Sequence, residues 1–561
     1  MAKLTKRKER TPSPAASRGR RRAMYMSLGM MRVFLAVTSL GMIHPDEFFQ
    51  SQEVMARHEL EDDDPSLHAQ LHLPWEYELP TPNRSVFFPA LVAGLPYKLL
   101  QWWGVRMTGT VLLLTPRLLL CAVSFLIDLA LYRCAKALRL KNRFGVVLSF
   151  ASAWTTLIFM SRPFSNTCET IHLAACMTTL LCFNPHIRFF FGLFHVQTLL
   201  LGSLLAFGFF TRFTFPFFFF PLGLELVRRQ DAILVDTFRK KSVSSSAPTW
   251  RRLCGVVWTG VQGLLAFAVC SIGIIALDTV YFRGEVTSYD IQQLVIAPWN
   301  NFIYNLQYEN LQLHGVHPRI THAMVNMPML FGPLYFAFLA HALGSTTNDR
   351  IQHLWRGSCV LFPLLCISMA PHQEPRFLLP LLVPLHLFTP NIFKSRWKSI
   401  WILFNILLAV FFGILHQGGL VPLLLELSEG GQENLVLSFA FWSKCNVDYT
   451  LFKPSATPLV FYKTYMPPRF ILAGAEKHAS GFQVVDLAGG RAMDDQLHQL
   501  SGEKSIAVIA PASVTIDEVT KRWGSGESIL AGTCSPHIST EDLALDKPLA
   551  LNVYVLQNQH L

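Results

Sequence analysis

Eleven apolar runs recur along the first 416 residues of this 561-residue chain, and each is read as long enough to cross the roughly 30 Å hydrocarbon core of a bilayer. The runs lie near residues 24–43, 110–133, 144–160, 167–183, 190–208, 213–227, 253–277, 321–342, 357–371, 376–393 and 399–416. A chain that is 51% hydrophobic and only 15% charged cannot bury this much apolar surface in a water-soluble core. The sequence therefore predicts an all-α polytopic membrane protein with about eleven transmembrane helices.

The N-terminal tail sets the orientation of the spans. Residues 1–23 are strongly basic and precede the first apolar run, which favours a cytosolic N-terminus. No small-residue cleavage site follows that run, so it is interpreted as an anchor and not as a signal peptide. The connections after it then alternate between lumen and cytosol, and the C-terminus is predicted to be luminal.

One further apolar segment, 86–104, is interpreted as a luminal helix that lies on or dips into the membrane. With this choice the basic loops 133–143, 228–252 and 394–398 all become cytosolic, as the distribution of Lys and Arg favours. The loop 44–109 is then luminal, and its sequon at Asn83 becomes a possible glycosylation site.

The net charge of +11 does not indicate nucleic-acid binding. The basic residues form short blocks between apolar runs, where orientation and anionic lipid head groups account for them. Nucleic acid is therefore excluded as a partner, whereas the endoplasmic reticulum (ER) membrane is an expected environment.

A different kind of sequence begins after His416. Residues 417–561 are turn-rich and mixed in charge, and their short apolar runs, such as 505–509 and 551–556, are typical of strands. We expect a small luminal α+β domain here, after a cytosolic tail at 1–23 and a transmembrane catalytic domain at 24–416. Cys445 and Cys534 are the two cysteines placed to form a disulfide in an oxidising lumen.

Polar side chains collect at the predicted luminal ends of the spans. The set consists of Asp46, Glu47, Arg162, Arg212, His372, Gln373, Glu374, Arg376 and His416. Ionisable groups at membrane depth usually face a protein interior or an aqueous cavity, although each can also simply anchor a helix end. A carboxylate can accept the proton of a sugar hydroxyl, and Arg and His can hold a leaving phosphate. Glycosyl transfer from a lipid-linked phosphosugar fits this combination.

Asp128 and His195, inside predicted spans, are assigned to interhelical hydrogen bonding.

Two motifs resemble those of the glycosyltransferases that use dolichyl-phosphate mannose in the ER, glycosyltransferase family 22. The first is His44-Pro45-Asp46-Glu47-Phe48-Phe49-Gln50-Ser51 with Glu53, and the second is His372-Gln373-Glu374-Pro375-Arg376-Phe377. Further pieces are similar to the glycosylphosphatidylinositol (GPI) mannosyltransferases that add a fourth mannose. These are Trp75-Glu76-Tyr77, Arg84-Ser85-Val86, Arg162 with Phe164-Ser165-Asn166-Thr167, Gly208-Phe209-Phe210, His416-Gln417-Gly418-Gly419-Leu420-Val421-Pro422 and Thr464-Tyr465-Met466-Pro467-Pro468-Arg469.

The resemblance implies an inverting transferase of the GT-C architecture that needs neither metal nor cofactor. It implies transfer of mannose from dolichyl-phosphate mannose, in α linkage, to the third mannose of a GPI precursor. The catalytic face would be luminal in a multi-pass ER membrane protein, and both substrates would be lipids. Protein partners are unknown.

Carried onto this sequence, the resemblance makes Asp46 the base that deprotonates the acceptor hydroxyl. Glu47 would bind the acceptor or tune Asp46, with a solvated loop residue as the alternative. His372 and Arg376 are expected to bind the donor phosphate, and a salt bridge between Glu374 and Arg376 is the alternative. Weaker candidates for substrate binding are His44, Gln50, Glu53, Arg84, Arg162, Glu374 and His416.

Two other functions are open at the level of sequence. The same chemistry can act on another acceptor, a dolichol-linked oligosaccharide or an earlier GPI precursor. A transporter of lipid-linked sugars would also carry charges in its spans, but such proteins commonly show inverted repeats, and no duplicated spacing of broken spans occurs here.

Overall fold

Helices dominate the computed structural model of the chain. It describes residues 14–61, 71–241, 248–284, 293–313, 315–344, 350–389, 392–394, 397–430, 432, 434–473, 482–487, 493–544 and 546–558. The predicted predominance of helices is confirmed, and sheet structure is concentrated after residue 443.

Most helices precede the C-terminal sheet. Their bounds are α1 (Pro14–Thr38), α2 (Asp46–Phe49), α3 (Gln52–Glu61), α4 (Phe87–Pro89), α5 (Leu95–Trp102), α6 (Gly109–Ala137), α7 (Arg143–Ala151), α8 (Trp154–Ile158), α9 (Ser165–Cys182), α10 (Val196–Thr211), α11 (Phe215–Lys241), α12 (Thr249–Arg283), α13 (Ala297–Leu306), α14 (Tyr308–Leu313), α15 (Met327–Phe331), α16 (Pro333–Gly344), α17 (Arg350–Ser368), α18 (Leu382–Phe388), α19 (Lys398–Val410), α20 (Leu420–Glu429) and α21 (Leu435–Phe439). Short 3₁₀ or π segments adjoin or separate them at Trp75–Tyr77, Ala90–Gly94, Phe159–Ser161, His322–Asn326, Pro375–Leu381, Ile392–Lys394 and Phe411–Leu415.

By length and hydropathy, fewer helices of the structure qualify as membrane spans than the eleven that the sequence predicts. Among the residues described, three helices qualify, at Gly109–Ala137, Thr249–Arg283 and Lys398–Leu415. Two bent pairs raise the number to five when each counts as one span: Arg143–Ala151 with Trp154–Ser161, bent by 62°, and His322–Phe331 with Pro333–Ala342, bent by 119°. Other predicted spans fall on shorter or more polar helices, so the count of eleven stays a prediction.

A β-hairpin replaces the start of one predicted span. The run 190–208 begins as a helix only at Val196, because β1 (Arg188–Phe189) pairs with β2 (Phe194–His195) immediately before it. Phe190 and Phe191 adopt positive φ angles of 47° and 49° in the turn. His195 therefore belongs to a strand and not to the helix interior, where the sequence places it.

A buried ion pair joins α1 to α6. Arg32 Nη1 lies 2.8 Å from Asp128 Oδ2, and the Arg32 side chain is fully buried. A charged group inside a helical bundle is stabilised only when a partner neutralises it. The interhelical role predicted for Asp128 is confirmed.

The sequon at Asn83 is enclosed in the folded protein. Asn83 is 9% exposed, and its carbonyl oxygen accepts a hydrogen bond of 3.1 Å from Asn301 Nδ2. Ser85 donates to Asp278 Oδ1 at 2.9 Å. Attachment of a glycan to Asn83 would require this packing to open.

The C-terminal region contains a six-stranded mixed sheet in the order β3-β7-β8-β6-β4-β5. Its strands are β3 (Lys444–Val447), β4 (Leu459–Phe461), β5 (Val484–Asp486), β6 (Ser505–Pro511), β7 (Ser525–Ser535) and β8 (Leu551–Asn558), and the helices among them are α22 (Phe470–Ala473), α23 (Met493–Gln499) and α24 (Asp517–Trp523). β4 is parallel to β5 and β6, whereas β8 is antiparallel to β6 and β7. Cys445 and Cys534 are cross-strand partners on β3 and β7 and form a disulfide, as predicted.

This sheet shares one hydrophobic core with the loop that follows α1. The core includes Leu40 and Phe48 from that loop, Leu420 from α20, Phe470 from α22 and Leu551 from β8. The α+β region is therefore packed against the segment that carries Asp46.

Candidate active site

The backbone between α1 and Asp46 is held by the segment that follows α19. Gly41 N donates to Gly413 O and Met42 N donates to His416 O, each over 3.0 Å. A Cβ atom on Gly41 would lie 2.7 Å from a backbone oxygen of that segment, so glycine alone permits the close approach. These contacts place Asp46 at the start of α2.

Asp46 is surrounded by polar side chains from distant parts of the chain. Its carboxylate is ion-paired with Arg376 and accepts a hydrogen bond from Gln50 Nε2. His44 Nδ1 lies 3.2 Å from Asp46 Oδ1. Burial alone would raise the pKa of Asp46, but Arg376 and His44 outweigh it and hold that pKa well below its usual range. Because 24% of the side chain is exposed, the ionised carboxylate is accessible from outside the protein.

His372, Glu374 and Arg376 form the other half of this cluster. His372 Nε2 lies 2.7 Å from Glu374 Oε1, and Arg376 Nε donates to Glu374 Oε2. Burial favours the neutral form of Glu374, yet Arg376 and His372 together hold its pKa well below the usual range. Burial lowers the pKa of His372, but the hydrogen bond to Glu374 outweighs this effect and raises it. Arg376 therefore joins two carboxylates, one from each sequence motif.

The loop that carries these residues is anchored by Gln373. Its Nε2 donates to Ser368 O at 2.9 Å, and its Oε1 accepts from His322 N at 2.9 Å. The Gln373 side chain is buried. The positions of His372 and Glu374 on either side of it are thereby fixed before any substrate binds.

Glu47 faces away from this cluster although it is adjacent to Asp46. Its side chain is fully buried and lies 3.2 Å from Arg162 and 3.8 Å from Arg117. Burial raises the pKa of Glu47, against the opposing effect of the two guanidinium groups. The carboxylate is enclosed between two guanidinium groups, which is the arrangement of a structural ion pair, so the geometry does not support the catalytic role predicted for Glu47. The solvated position considered as its alternative is wrong.

Arg162 also stabilises the loop and does not bind substrate in this arrangement. Its Nη2 donates to Ser39 O at 2.6 Å and to Gly41 O at 2.9 Å, and its side chain is fully buried. The substrate-binding role that the sequence suggests for Arg162 is therefore not supported by the geometry.

Two other weak candidates connect the loop to the C-terminal region. Glu53 accepts hydrogen bonds of 3.1 Å from His72 N and Phe470 N, and burial raises its pKa to about 7. His416 is 4% exposed, its Nδ1 lies 2.6 Å from Met42 O, and its backbone pairs with Ile538. Both residues hold the backbone and are enclosed, so substrate binding by either is not supported.

Gln50 and Arg84 belong to a hydrogen-bonded chain that starts at Asp46. Gln50 Oε1 accepts from Ser165 Oγ at 2.8 Å, and Ser165 Oγ in turn accepts from Arg84 Nη1 at 3.4 Å and from Arg212 Nη1 at 3.2 Å. The structure thus brings His44, Asp46, Gln50, His372, Glu374 and Arg376 into one cluster and places Arg84 next to it.

Sequence reasoning missed three residues that shape this region: Arg117, Ser165 and Glu169. Arg117 and Glu169 are charged residues inside predicted spans, which is itself a signal of a buried partner or a functional cavity. Glu169 lies 3.5 Å from Arg212. Ser165 lies in a segment with a family resemblance, but its role as the junction of two arginines depends on tertiary contacts.

A metal site was not expected from the sequence. Among the residues described, no group of three or more His, Cys, Asp or Glu side chains is arranged to hold a metal ion. The absence of a metal requirement stays an expectation about the reaction.

Comparison with known structures gives broad likenesses only. The crystal structure of ArnT from Cupriavidus metallidurans bound to undecaprenyl phosphate aligns with 95% of this chain and 97% of that chain, with a TM-score of 0.49 and 10% sequence identity. A superposition this loose supports no inference about substrates.

Sequence comparison is more specific. A family model described as the Alg9-like mannosyltransferase family matches residues 23–446. GPI alpha-1,2-mannosyltransferase 4 of Homo sapiens is 32% identical over 503 residues, which cover 83% of this chain and 79% of that protein. GPI mannosyltransferase 4 of Aspergillus oryzae is 31% identical, with 88% and 87% covered. The corresponding protein of Schizosaccharomyces pombe is 30% identical, with 80% and 75% covered. Extended similarity at this level, together with the family match, shows that the chain belongs to the Alg9-like mannosyltransferase family.

Proposed function

We propose that this mannosyltransferase moves mannose from dolichyl-phosphate mannose to the third mannose of a GPI precursor, with inversion at C1, on the luminal side of the ER membrane. The names of the relatives support a GPI acceptor. The observation that carries the chemistry is the accessible carboxylate of Asp46 paired with Arg376.

Asp46 acts as the general base. Its carboxylate takes the proton of the acceptor hydroxyl while that oxygen bonds to C1 of the mannosyl group. The bond from C1 to the phosphate oxygen breaks in the same step, and its electron pair leaves with dolichyl phosphate. A single displacement inverts the configuration at C1, so one carboxylate on the acceptor side is sufficient.

Arg376 and His372 receive the departing phosphate. Among the described residues, Arg376 uses Nη1 for Asp46 and Nε for Glu374, and no hydrogen bond engages its Nη2. A planar guanidinium group matches the geometry of phosphate oxygens, and the raised pKa of His372 favours its cationic form. Positive charge at this position stabilises the negative charge that develops on the leaving group.

Glu374 positions both cationic groups. It contacts His372 on one side and Arg376 on the other, so it fixes their relative orientation. The salt bridge considered as the alternative role of Arg376 therefore exists, and it is compatible with phosphate binding because a guanidinium group carries five N–H donors.

Donor binding activates Asp46 in this scheme. A carboxylate with a strongly lowered pKa is a weak base, and Arg376 is a main reason for the lowered pKa of Asp46. A phosphate group that competes for Arg376 weakens the pair and makes Asp46 more basic. The base is then strongest when the donor is in place.

The test uses purified protein, dolichyl-phosphate mannose and three defined acceptors. These are GPI precursors with three and with two mannoses and a dolichol-linked oligosaccharide. We expect product only from the precursor with three mannoses, with the new linkage in the α configuration. Transfer to another acceptor would replace the acceptor assignment and keep the chemistry. Movement of lipid-linked sugar across vesicles without any transfer would favour the transporter.

A further inference from the structure

A recess lies beside the Asp46 cluster and is not used in the reaction scheme above. The space between its walls, including the part open to solvent, is about 320 Å³, and its wall includes Arg84, Phe209, Arg212, Phe213, Pro298 and Asn301. Phe213 is the first residue of a predicted span, and the other five come from three connections that the sequence predicts on the luminal side: 44–109, 209–212 and 278–320. The lining combines cationic groups with an apolar wall, which suits a charged head group attached to a lipid.

The two arginines of this recess converge on one hydroxyl group. Arg84 Nη1 and Arg212 Nη1 lie 3.4 Å and 3.2 Å from Ser165 Oγ. Nε of Arg84 is buried without a hydrogen-bond partner among the described residues, and no hydrogen bond described engages Nη2 of Arg212. Two guanidinium groups that converge on one point with donor capacity left over can hold one phosphate group between them.

The carboxylate partners of Arg84 and Arg212 do not use all the hydrogen-bond donors of the two guanidinium groups. Arg84 Nη2 is paired with Glu76 at 2.8 Å, whereas Arg212 lies 3.5 Å from Glu169. The longer contact with Glu169 only partly neutralises Arg212, whose guanidinium group also lies 4.8 Å over the Phe377 ring. Arg212 is only 9% exposed, so its partly neutralised charge gains from an additional anion.

A short chain of hydrogen bonds links the recess to the reaction centre. Ser165 Oγ donates to Gln50 Oε1 at 2.8 Å, and Gln50 Nε2 donates to Asp46. The side-chain amide of Gln50 therefore lies between Ser165, where the two arginines converge, and Asp46, the proposed base. A group bound in the recess lies within the span of a substrate that also reaches Asp46.

The recess adjoins a surface that faces lipid. Phe209 packs against Phe267 of α12, with ring centroids 5.8 Å apart, and only 17% of the apolar window of α12 is buried inside the protein. On α13, which supplies Pro298 and Asn301 to the wall, Trp299 is 57% exposed. A lipid-linked substrate can therefore approach from the side while its head group enters the recess.

We infer that this recess, centred on Arg84 and Arg212, binds a phosphate group carried by the glycolipid acceptor. The inference rests on the proposed function for the identity of the two lipid-linked substrates. The donor carries one phosphate group, which the proposed function assigns to His372 and Arg376, so a separate subsite with its own guanidinium pair is left for a phosphate of the acceptor. The experiment measures both substrates.

The experiment compares Arg84→Gln and Arg212→Gln with the wild-type protein in lipid nanodiscs. Arg188→Gln is the matched control, because Arg188 is an exposed arginine of the hairpin whose Nη1 contacts Gly192 O and not the recess. Binding of dolichyl phosphate and of a GPI precursor is measured first, without turnover. The KM for each substrate is then measured by mannose transfer.

We expect at least tenfold weaker binding of the GPI precursor and a matching rise in its KM in both variants, with binding of dolichyl phosphate unchanged. Losses confined to dolichyl phosphate would contradict the assignment of the recess to the acceptor. Arg212→Lys should restore part of the affinity, because it keeps the charge and loses the bidentate geometry. The control is expected to behave like the wild type.

A third variant guards against misfolding of the arginine variants. Asn301→Trp fills the recess from α13 and leaves both arginines intact, so it should weaken the same substrate. Binding constants and KM values within twofold of wild type in all three variants would overturn the subsite while leaving the proposed transferase activity in place. Failure of the wild-type protein to transfer mannose would instead contradict the proposed function, and the turnover-free binding data would still decide on the recess.

Discussion

Arg376 pairs with Asp46 although 330 positions separate the two residues in the sequence. The ion pair holds the loop after α1, which carries Asp46, against the loop that Gln373 anchors. Because Arg376 also contacts Glu374, a change at Asp46, Arg376 or Glu374 alters the electrostatics of the other two.

Asp46→Asn is expected to abolish most of the transferase activity. The amide cannot accept the proton of the acceptor hydroxyl, and loss of a general base typically lowers kcat by about 10²- to 10⁴-fold. Transfer of radiolabelled mannose by the purified variant measures the effect. Asp236→Asn is the control, because Asp236 is 63% exposed and paired only with Lys240 among the contacts described. Wild-type rates in a folded Asp46→Asn protein would remove Asp46 from the mechanism.

Glu47→Gln is expected to reduce stability more than chemistry. The substitution leaves the buried guanidinium groups of Arg162 and Arg117 without their carboxylate, and breaking a buried ion pair from one side costs about 3–5 kcal/mol. Thermal unfolding followed by size-exclusion chromatography should show a lower midpoint. Activity per folded molecule should stay well above that of Asp46→Asn, and an equal loss of activity at wild-type stability would restore Glu47 to the catalytic group.

The acid limb of the pH profile is expected to differ between kcat/KM and kcat. In the free enzyme Arg376 lowers the pKa of Asp46, so the base stays ionised to low pH. Bound donor phosphate competes for Arg376, raises the pKa of Asp46 and moves the acid limb of kcat to higher pH than that of kcat/KM for the donor. Steady-state kinetics across acidic pH, with thermal melting at each pH as control, measure both limbs. Coincident limbs would argue against competition for Arg376.

Removal of the disulfide is expected to destabilise the C-terminal sheet. Cys445 and Cys534 close a loop with a sequence separation of 89, and loss of a native disulfide typically costs about 2–5 kcal/mol. The Cys445→Ser, Cys534→Ser double variant should melt at a lower temperature, and the wild-type protein from microsomes should shift in mobility on reduction. A reduced pair in native membranes would contradict a luminal position for residues 417–561.

The main contacts of the site can be predicted from the sequence only where both partners belong to recognisable motifs. The pairing of Asp46 with Arg376 joins two recognisable motifs, so their proximity was predictable. The sequence does not predict that the side chains of Asp46 and Glu47 point in opposite directions, because two adjacent carboxylates look equivalent in sequence. The partner of Glu47, Arg117, lies inside an apolar run, and only the folded helices show that its guanidinium group reaches the loop.

The fold class is predictable from the sequence, but the order in which the strands pair is not. The apolar runs indicate helices, and short apolar runs in the turn-rich sequence after His416 indicate strands such as β6 and β8. The order of the six strands depends on pairings between residues far apart, for example Cys445 with Cys534, which no local pattern specifies. The hairpin at residues 188–195 was missed because its phenylalanines read as the beginning of a span.

The contacts of Phe470 with Glu53 and of Ile538 with His416 have a consequence for how the protein is made. The segment that presents Asp46 emerges from the ribosome early, but the residues that hold it in place are among the last to be translated. The supports of the Asp46 segment are therefore complete only when synthesis is nearly finished. A nonsense mutation shortly before Ile538 is expected to leave a protein in which the backbone at His416 lacks its partner strand.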